Sequence, residues 1–155
     1  MIEDNCLFCS IVSGAVEAAV VYEDADCLVF LDHRPLFPGH CLVVPREHSE
    51  TLLELSENSV GPFFKLVQVI ARAVQAAMDA EGTFVAMNNR VSQSVPHLHV
   101  HVVPRKKKDG LKGFFWPRTK YKSSEEMFDT AQRIAEELSG RHSVAAPSKK
   151  SRLEK

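Results

Sequence analysis

Residues 96–105 read PHLHVHVVPR and place His97, His99 and His101 at alternate positions, with Leu98, Val100 and Val102 between them. Side chains of an extended chain alternate between faces, so the imidazoles share one face and the aliphatic residues share the other. The chain has only seven histidines, which makes three in strict alternation a poor fit to an ordinary solvated strand face. Neighbouring histidines on a strand start roughly 6.7 Å apart, and the outer pair about 13 Å apart. Such a row suits a multi-atom anion, a phosphate chain for example. It suits a single metal ion poorly, because two adjacent imidazoles can converge on an ion and three in a row cannot. Imidazole titrates near neutrality, so its neutral, nucleophilic form is plentiful at pH 7.

Cys6 and Cys9 form a CxxC pair near the amino terminus, a pattern shared by redox and metal sites. A redox role fits less well, since no strand-to-helix pattern surrounds the pair. A closed zinc site takes four ligands, so two more would be needed. Cys27 and Cys41 lie in the apolar runs DCLVF and HCLVV, where a thiol behaves as a small buried hydrophobe. The opening MIEDNCLFCS is acidic and too short in apolar length for a secretory signal. A reducing, cytoplasmic setting without a disulfide framework is therefore expected.

The elements that must carry these residues follow from periodicity. VYEDADCLVFLD reads as two strand-like runs around an acidic turn, and CLVVP as a β-branched run stopped by proline. Ser56 is placed to cap a helix whose apolar positions, among them Val60, Phe63, Phe64, Val67, Ile70, Val74 and Met78, recur near 3.6 residues. TFVAMN and HLHVHVV read as two further strands joined by NRVSQSVP as a hairpin. SSEE at 123–126 has the form of a capping box opening a short helix with an apolar stripe through Met127, Ala131, Ile134, Ala135 and Leu138. The expected architecture is α+β, an antiparallel sheet with one long helix and one short C-terminal helix. It forms a single domain over residues 1–140, followed by a basic, disordered tail at 141–155. With 19 basic and 20 acidic residues, nothing pulls the whole chain toward nucleic acid or membrane, and no apolar run approaches the ~20 residues of a membrane span.

HLHVHVV resembles the His-φ-His-φ-His-φ-φ signature (φ apolar) of the histidine triad family of nucleotide hydrolases and transferases. DNCLFCSIVSG, CLVFLDHRPLFPGHCLVVPREH and NNRVSQSVPHLHVHVVPR fall in that family's order, so the similarity spans roughly residues 4–118.

The resemblance implies a fold, an activity and a set of roles. His99 would be the nucleophile, attacking the α-phosphorus of a nucleotide and forming a covalent nucleotidyl-histidine that water then hydrolyses. His101 would donate to non-bridging phosphate oxygens, with Gln93 and Ser94 as further donors, and the carbonyl of His97 would hold the tautomer of His99. Asp32 would accept from ribose hydroxyls, and Asn88 would sit on the phosphate or ribose side. Substrates would be dinucleoside polyphosphates or nucleoside phosphoramidates. The alternatives are a nucleotidyl transferase or phosphorylase, and a non-catalytic nucleotide-binding protein. Bacterial members look similar at the amino terminus too, which implies structural zinc on Cys6, Cys9, His48 and His97. Family members are homodimers, and Phe114, Phe115 and Trp116 would suit a contact with the partner. Arg105 and the lysines after it would attract a polyphosphate leaving group. One position departs from the family, which often has Gly-Gln-Ser or Gly-Gln-Thr where this chain has Ser92-Gln93-Ser94.

Overall fold

A computed structural model of the chain describes residues 5–111 and 119–141, with side chains of the last helix through residue 137. The chain falls into two compact units, Met1–Leu111 and Lys112–Lys155. In the first unit the order is α1 (Leu7–Val12), β1 (Val20–Glu23), β2 (Cys27–Leu31), β3 (Cys41–Pro45), α2 (Glu57–Ala77), β4 (Gly82–Ala86) and β5 (Val100–Arg105). The strands form one antiparallel sheet in the order β1-β2-β3-β5-β4. The fold is thus the expected α+β arrangement, and β4 and β5 are the expected antiparallel neighbours.

Alternation on β2 and β3 explains why the sheet is covered on both faces. Cys27, Val29, Cys41 and Val43 join Leu98, Val100 and Val102 beneath α2, where Phe63, Val67, Ile70 and Val74 supply the helix's buried stripe. Leu28, Phe30, Leu42 and Val44 face the other way, onto Cys6, Phe8 and Cys9 of the α1 region. Phe63 is only 2 % exposed, so its truncation to alanine costs about 3–5 kcal/mol. Ser56 precedes α2 as expected, but its side chain makes no cap to the helix. Its hydroxyl pairs with that of Ser59 at 2.8 Å instead.

Other expectations change. The triad segment is a strand only from Val100. His97 and Leu98 give their amides to Val95 and Ser49 in neighbouring loops, so only His101 stands on the ladder. The short helix α1, absent from the sequence reading, begins directly after Cys6, which is its N-cap residue. In the second unit α3 (Ser124–Arg141) has 18 residues, so it is not short. Ser123 Oγ accepts from the Glu126 amide, while the Glu126 carboxylate reaches the amide of Lys122 rather than that of Ser123. Within that unit Met127, Phe128 and Ile134 are exposed. Phe114, Phe115 and Trp116, and the tail beyond residue 141, lie outside the described residues.

Candidate functional site

Two groups of histidines meet at the start of β5. The first is closed. Cys6, Cys9, His48 and His97 each offer one ligand atom, all within 4.8 Å of one another. The Cys6 Sγ lies 3.5 Å from His97 Nδ1, and the Cys9 Sγ lies 3.6 Å from the same atom and 3.3 Å from His48 Nδ1. These separations match the edges of a tetrahedron with metal–sulfur and metal–nitrogen bonds of about 2.3 and 2.0 Å. His97 is fully buried, and its Nε2–H donates to the Pro45 carbonyl at 2.8 Å. That bond leaves Nδ1 with a bare lone pair facing the thiols, the orientation a metal-bound imidazole takes. Burial, more than any neighbour, pushes His97 down to about 4, and it raises the Cys6 thiol. A neutral imidazole beside paired thiols is the donor set zinc prefers. The residues fit the metal.

The second group is open. His99 is 4 % exposed, and its Nδ1 lies 2.6 Å from the His97 carbonyl. A carbonyl only accepts, so Nδ1 carries the hydrogen and Nε2 keeps its lone pair. The ring sits edge-on to Phe8 at 5.1 Å and to His101 at 5.0 Å. His99 and His101 line a cavity of about 630 Å³ with Phe8, Phe30, Leu31, Leu42, Val95, Asp32 and Ser94. Its walls are largely aliphatic and aromatic, which suits a nucleobase and ribose, and Asp32, Ser94 and the two histidines are among its polar members.

The remaining expected residues divide. Asp32 and Ser94 line this cavity with the histidines. One Asp32 oxygen accepts from the Arg34 amide at 2.8 Å, and the other lies 3.7 Å from His40 Nδ1. Gln93 turns toward the chain: its Nε2 donates to the carbonyls of Glu50 at 2.6 Å and His97 at 3.4 Å, and its Oε1 accepts from the Arg90 amide. It therefore braces the carbonyl that holds His99. Asn88 donates to the Ser92 carbonyl at 3.1 Å. Ser92, which stands where the family often has glycine, adopts φ +59.

Arg105, Lys106 and Lys107 pair with Asp109, Asp79 and Glu81, and no lysine or arginine is among the described residues lining the cavity. Sequence reasoning missed two participants. Phe8 is carried to His99 by the same short helix that bears Cys9. His40, 3 % exposed, lies with its Nε2 3.0 Å from His101 Nδ1. The only signal for His40 was its place one residue before β3.

Known proteins are similar to this chain in sequence and fold. A Bacillus subtilis protein named Protein hit is 37 % identical over 115 residues, covering 73 % of this chain and 79 % of its own. The adenosine 5′-monophosphoramidase hnt1 of Schizosaccharomyces pombe is 36 % identical over 115 residues, covering 73 % and 84 %. The crystal structure of a zinc-bound histidine triad family protein from Mycobacterium smegmatis superimposes with a TM-score of 0.66 at 34 % identity, over 88 % of this chain and 98 % of that one. With residues 13–108 matching the family model for the HIT domain and a histidine-lined cavity beside a Cys/His cluster, the chain belongs to the HIT domain family.

Proposed function

We propose that the protein is a nucleotide hydrolase in which His99 attacks the α-phosphorus of an adenylate-type substrate. The observation that carries this reading is the 2.6 Å approach of His99 Nδ1 to the His97 carbonyl in the wall of a nucleotide-sized cavity. The bond fixes one tautomer and aims the free lone pair of Nε2 outward. In the attack an Nε2–P bond forms, the bond from phosphorus to the leaving group breaks, and the leaving group takes a proton from solvent. The ring then carries positive charge, which the same carbonyl stabilises. Water attacks phosphorus and gives up a proton to solvent, the P–N bond breaks, and neutral His99 returns with release of the nucleoside monophosphate. Alignment and charge stabilisation supply most of the acceleration in such transfers. His101 donates to the non-bridging oxygens, Ser94 stands at the leaving-group side, and Asp32 accepts from ribose through the oxygen the Arg34 amide does not hold. Zinc on Cys6, Cys9, His48 and His97 supplies rigidity when bound, pinning α1 and the His97 main chain.

Cavity charge selects among leaving groups. Asp32 and Glu17 are on the walls, no cation is among the described lining residues, and the basic run is paired with carboxylates. A polyphosphate leaving group would arrive without a counter-charge, whereas an amine carries none to neutralise. Phosphoramidates are therefore favoured over dinucleoside polyphosphates, in line with the name of the fission-yeast relative.

Brief incubation with adenosine 5′-phosphoramidate and, separately, with a diadenosine polyphosphate, followed by intact-mass measurement, tests both points. An adenylate adduct on His99, formed faster from the phosphoramidate, is the expected result. An adduct elsewhere, or turnover undiminished in His99→Gly, would overturn the mechanism. Faster reaction with the polyphosphate would overturn the substrate preference alone.

A further inference from the structure

We infer that His40 is a positioning residue that fixes His101 in the tautomer with hydrogen on Nε2, making it an obligate donor to the anion bound in the cavity. The inference rests on the hydrolase reading for its consequence, but its geometry stands alone.

A main-chain amide sets the first tautomer. Leu36 N–H points at His40 Nδ1 from 3.2 Å. An amide can only donate, so Nδ1 must present its lone pair. A neutral His40 then carries its hydrogen on Nε2, which lies 3.0 Å from His101 Nδ1. That nitrogen must in turn accept, which places the hydrogen of a neutral His101 on its own Nε2. Reversing the chain would put a hydrogen on His40 Nδ1, opposed to the Leu36 amide. The Asp32 oxygen near the same atom would favour that hydrogen, but at 3.7 Å it is beyond hydrogen-bond range while the amide is within it.

Burial favours the neutral form of both rings. Burial lowers His40, only partly opposed by Asp32. Burial likewise takes His101 down to about 4, with His99 and His40 adding to the shift.

The consequence for chemistry is directional. With its Nδ1 held by the Leu36–His40 relay, His101 keeps one fixed N–H for a phosphate oxygen. An unrestrained imidazole would divide its population between two tautomers, and one of them offers the phosphate a lone pair. The neighbouring His99 is set the opposite way by the His97 carbonyl, with its bare nitrogen outward. The pair thus presents one nucleophile and one donor side by side, without needing a proton at pH 7.

Long-range ¹H–¹⁵N correlation spectra of histidine-labelled protein read these tautomers directly. His40 and His101 are expected as Nε2–H and His99 as Nδ1–H. His40→Leu removes the relay: His101 should become a tautomer mixture. Its kcat for adenosine 5′-phosphoramidate should fall at least tenfold, with KM within about threefold. His40→Gln retains an amide donor near the Nε2 position and should recover kcat to within about threefold of the native protein. Native His101 found as Nδ1–H, or unchanged in His40→Leu, would overturn the assignment, as would a glutamine variant as impaired as the leucine one. If His40→Leu does not fold, the native spectrum and His40→Gln decide. A native protein inert on the phosphoramidate but with these tautomers would remove the hydrolase reading and leave the relay standing.

Discussion

The Cys/His cluster and the cavity histidines are built from the same side chain two residues apart, yet they present opposite nitrogens. At His97 the Pro45 carbonyl takes Nε2–H and leaves Nδ1 facing two thiols. At His99 the carbonyl of His97 takes Nδ1–H and leaves Nε2 for the cavity. Main-chain acceptors, rather than residue type, decide which ring nitrogen each histidine leaves with a bare lone pair. The first set converges on a point small enough for one ion. The second is spread along an open wall, as a multi-atom substrate requires. His97 joins them, giving its ring to one and its carbonyl to the other, and Phe8 packs on His99 from between the two cysteines.

The sharpest way to break this division is to remove one member of each set. His99→Asn should lose at least about 10³-fold in kcat, in keeping with deletion of a covalent nucleophile. AMP affinity should stay within about tenfold, or ~1.4 kcal/mol, by calorimetric titration. Zinc content should not change. Cys9→Ser, or exhaustive chelation of the native protein, should remove the zinc and lower kcat far less than His99→Asn does, through the His97 main chain alone. Close to one equivalent of zinc is expected in the native protein by elemental analysis, and its loss should lower the melting temperature by about 10 °C or more. Less than a tenth of an equivalent in freshly purified, unchelated protein would end the metal assignment. If His99→Asn also lost its zinc, the two sets could not be treated as separate sites.

A smaller effect comes from the donor side of the cavity. His101 is lowered to about 4, chiefly by burial, against about 6.5 in an unfolded chain. The folded state therefore favours the neutral ring. That stabilisation is complete above pH 6.5 and is lost as pH falls toward 4, with a slope of at most about 1.4 kcal/mol per pH unit. Denaturation midpoints between pH 4 and 7 should show a shallower decline in His101→Asn than in the native protein. The difference isolates this ring from His97, which titrates in the same direction. Parallel curves would mean that His101 titrates in the fold as it does in the unfolded chain.

Much of this arrangement could be read from local pattern, and the losses have physical reasons. β2, β3 and β4 were visible as short β-branched runs, and α2 as a 3.6-residue stripe, because burial on a single face leaves a period. The two sets of chemistry-bearing residues were visible through spacing and through family likeness. The start of β5 was misplaced because alternation reports side-chain direction, which an extended segment has whether or not its amides join a ladder. Those of His97 and Leu98 go to loops. Helix α1 is a six-residue segment, too brief for a period to show, and owes its place to the burial of Phe8 and Cys9. Gln93 has the donors a phosphate would want, but its partners are carbonyls of Glu50 and His97, and Glu50 is 43 residues away in sequence. His40 carried no motif of its own, and its meaning appears only when β3 and β5 pair.

The mildest test concerns the loop that holds the cavity side in place. Ser92 adopts φ +59, a region where a Cβ crowds the following carbonyl at a cost of roughly 1–2 kcal/mol. Glycine enters it freely but loses more entropy on folding, by about 0.5–1 kcal/mol. Ser92→Gly should therefore stabilise the protein slightly, by about 0.5 kcal/mol, seen as a small rise in denaturation midpoint. The bond from Asn88 ends on the Ser92 carbonyl and survives the change, so the loop keeps its anchor, and zinc content should be untouched. A clear loss of stability would show that the serine hydroxyl contributes more than its backbone strain costs. A loss of phosphoramidate turnover at unchanged stability would instead move Ser92 from scaffold to substrate contact, and would extend the open set by one residue toward the leaving group.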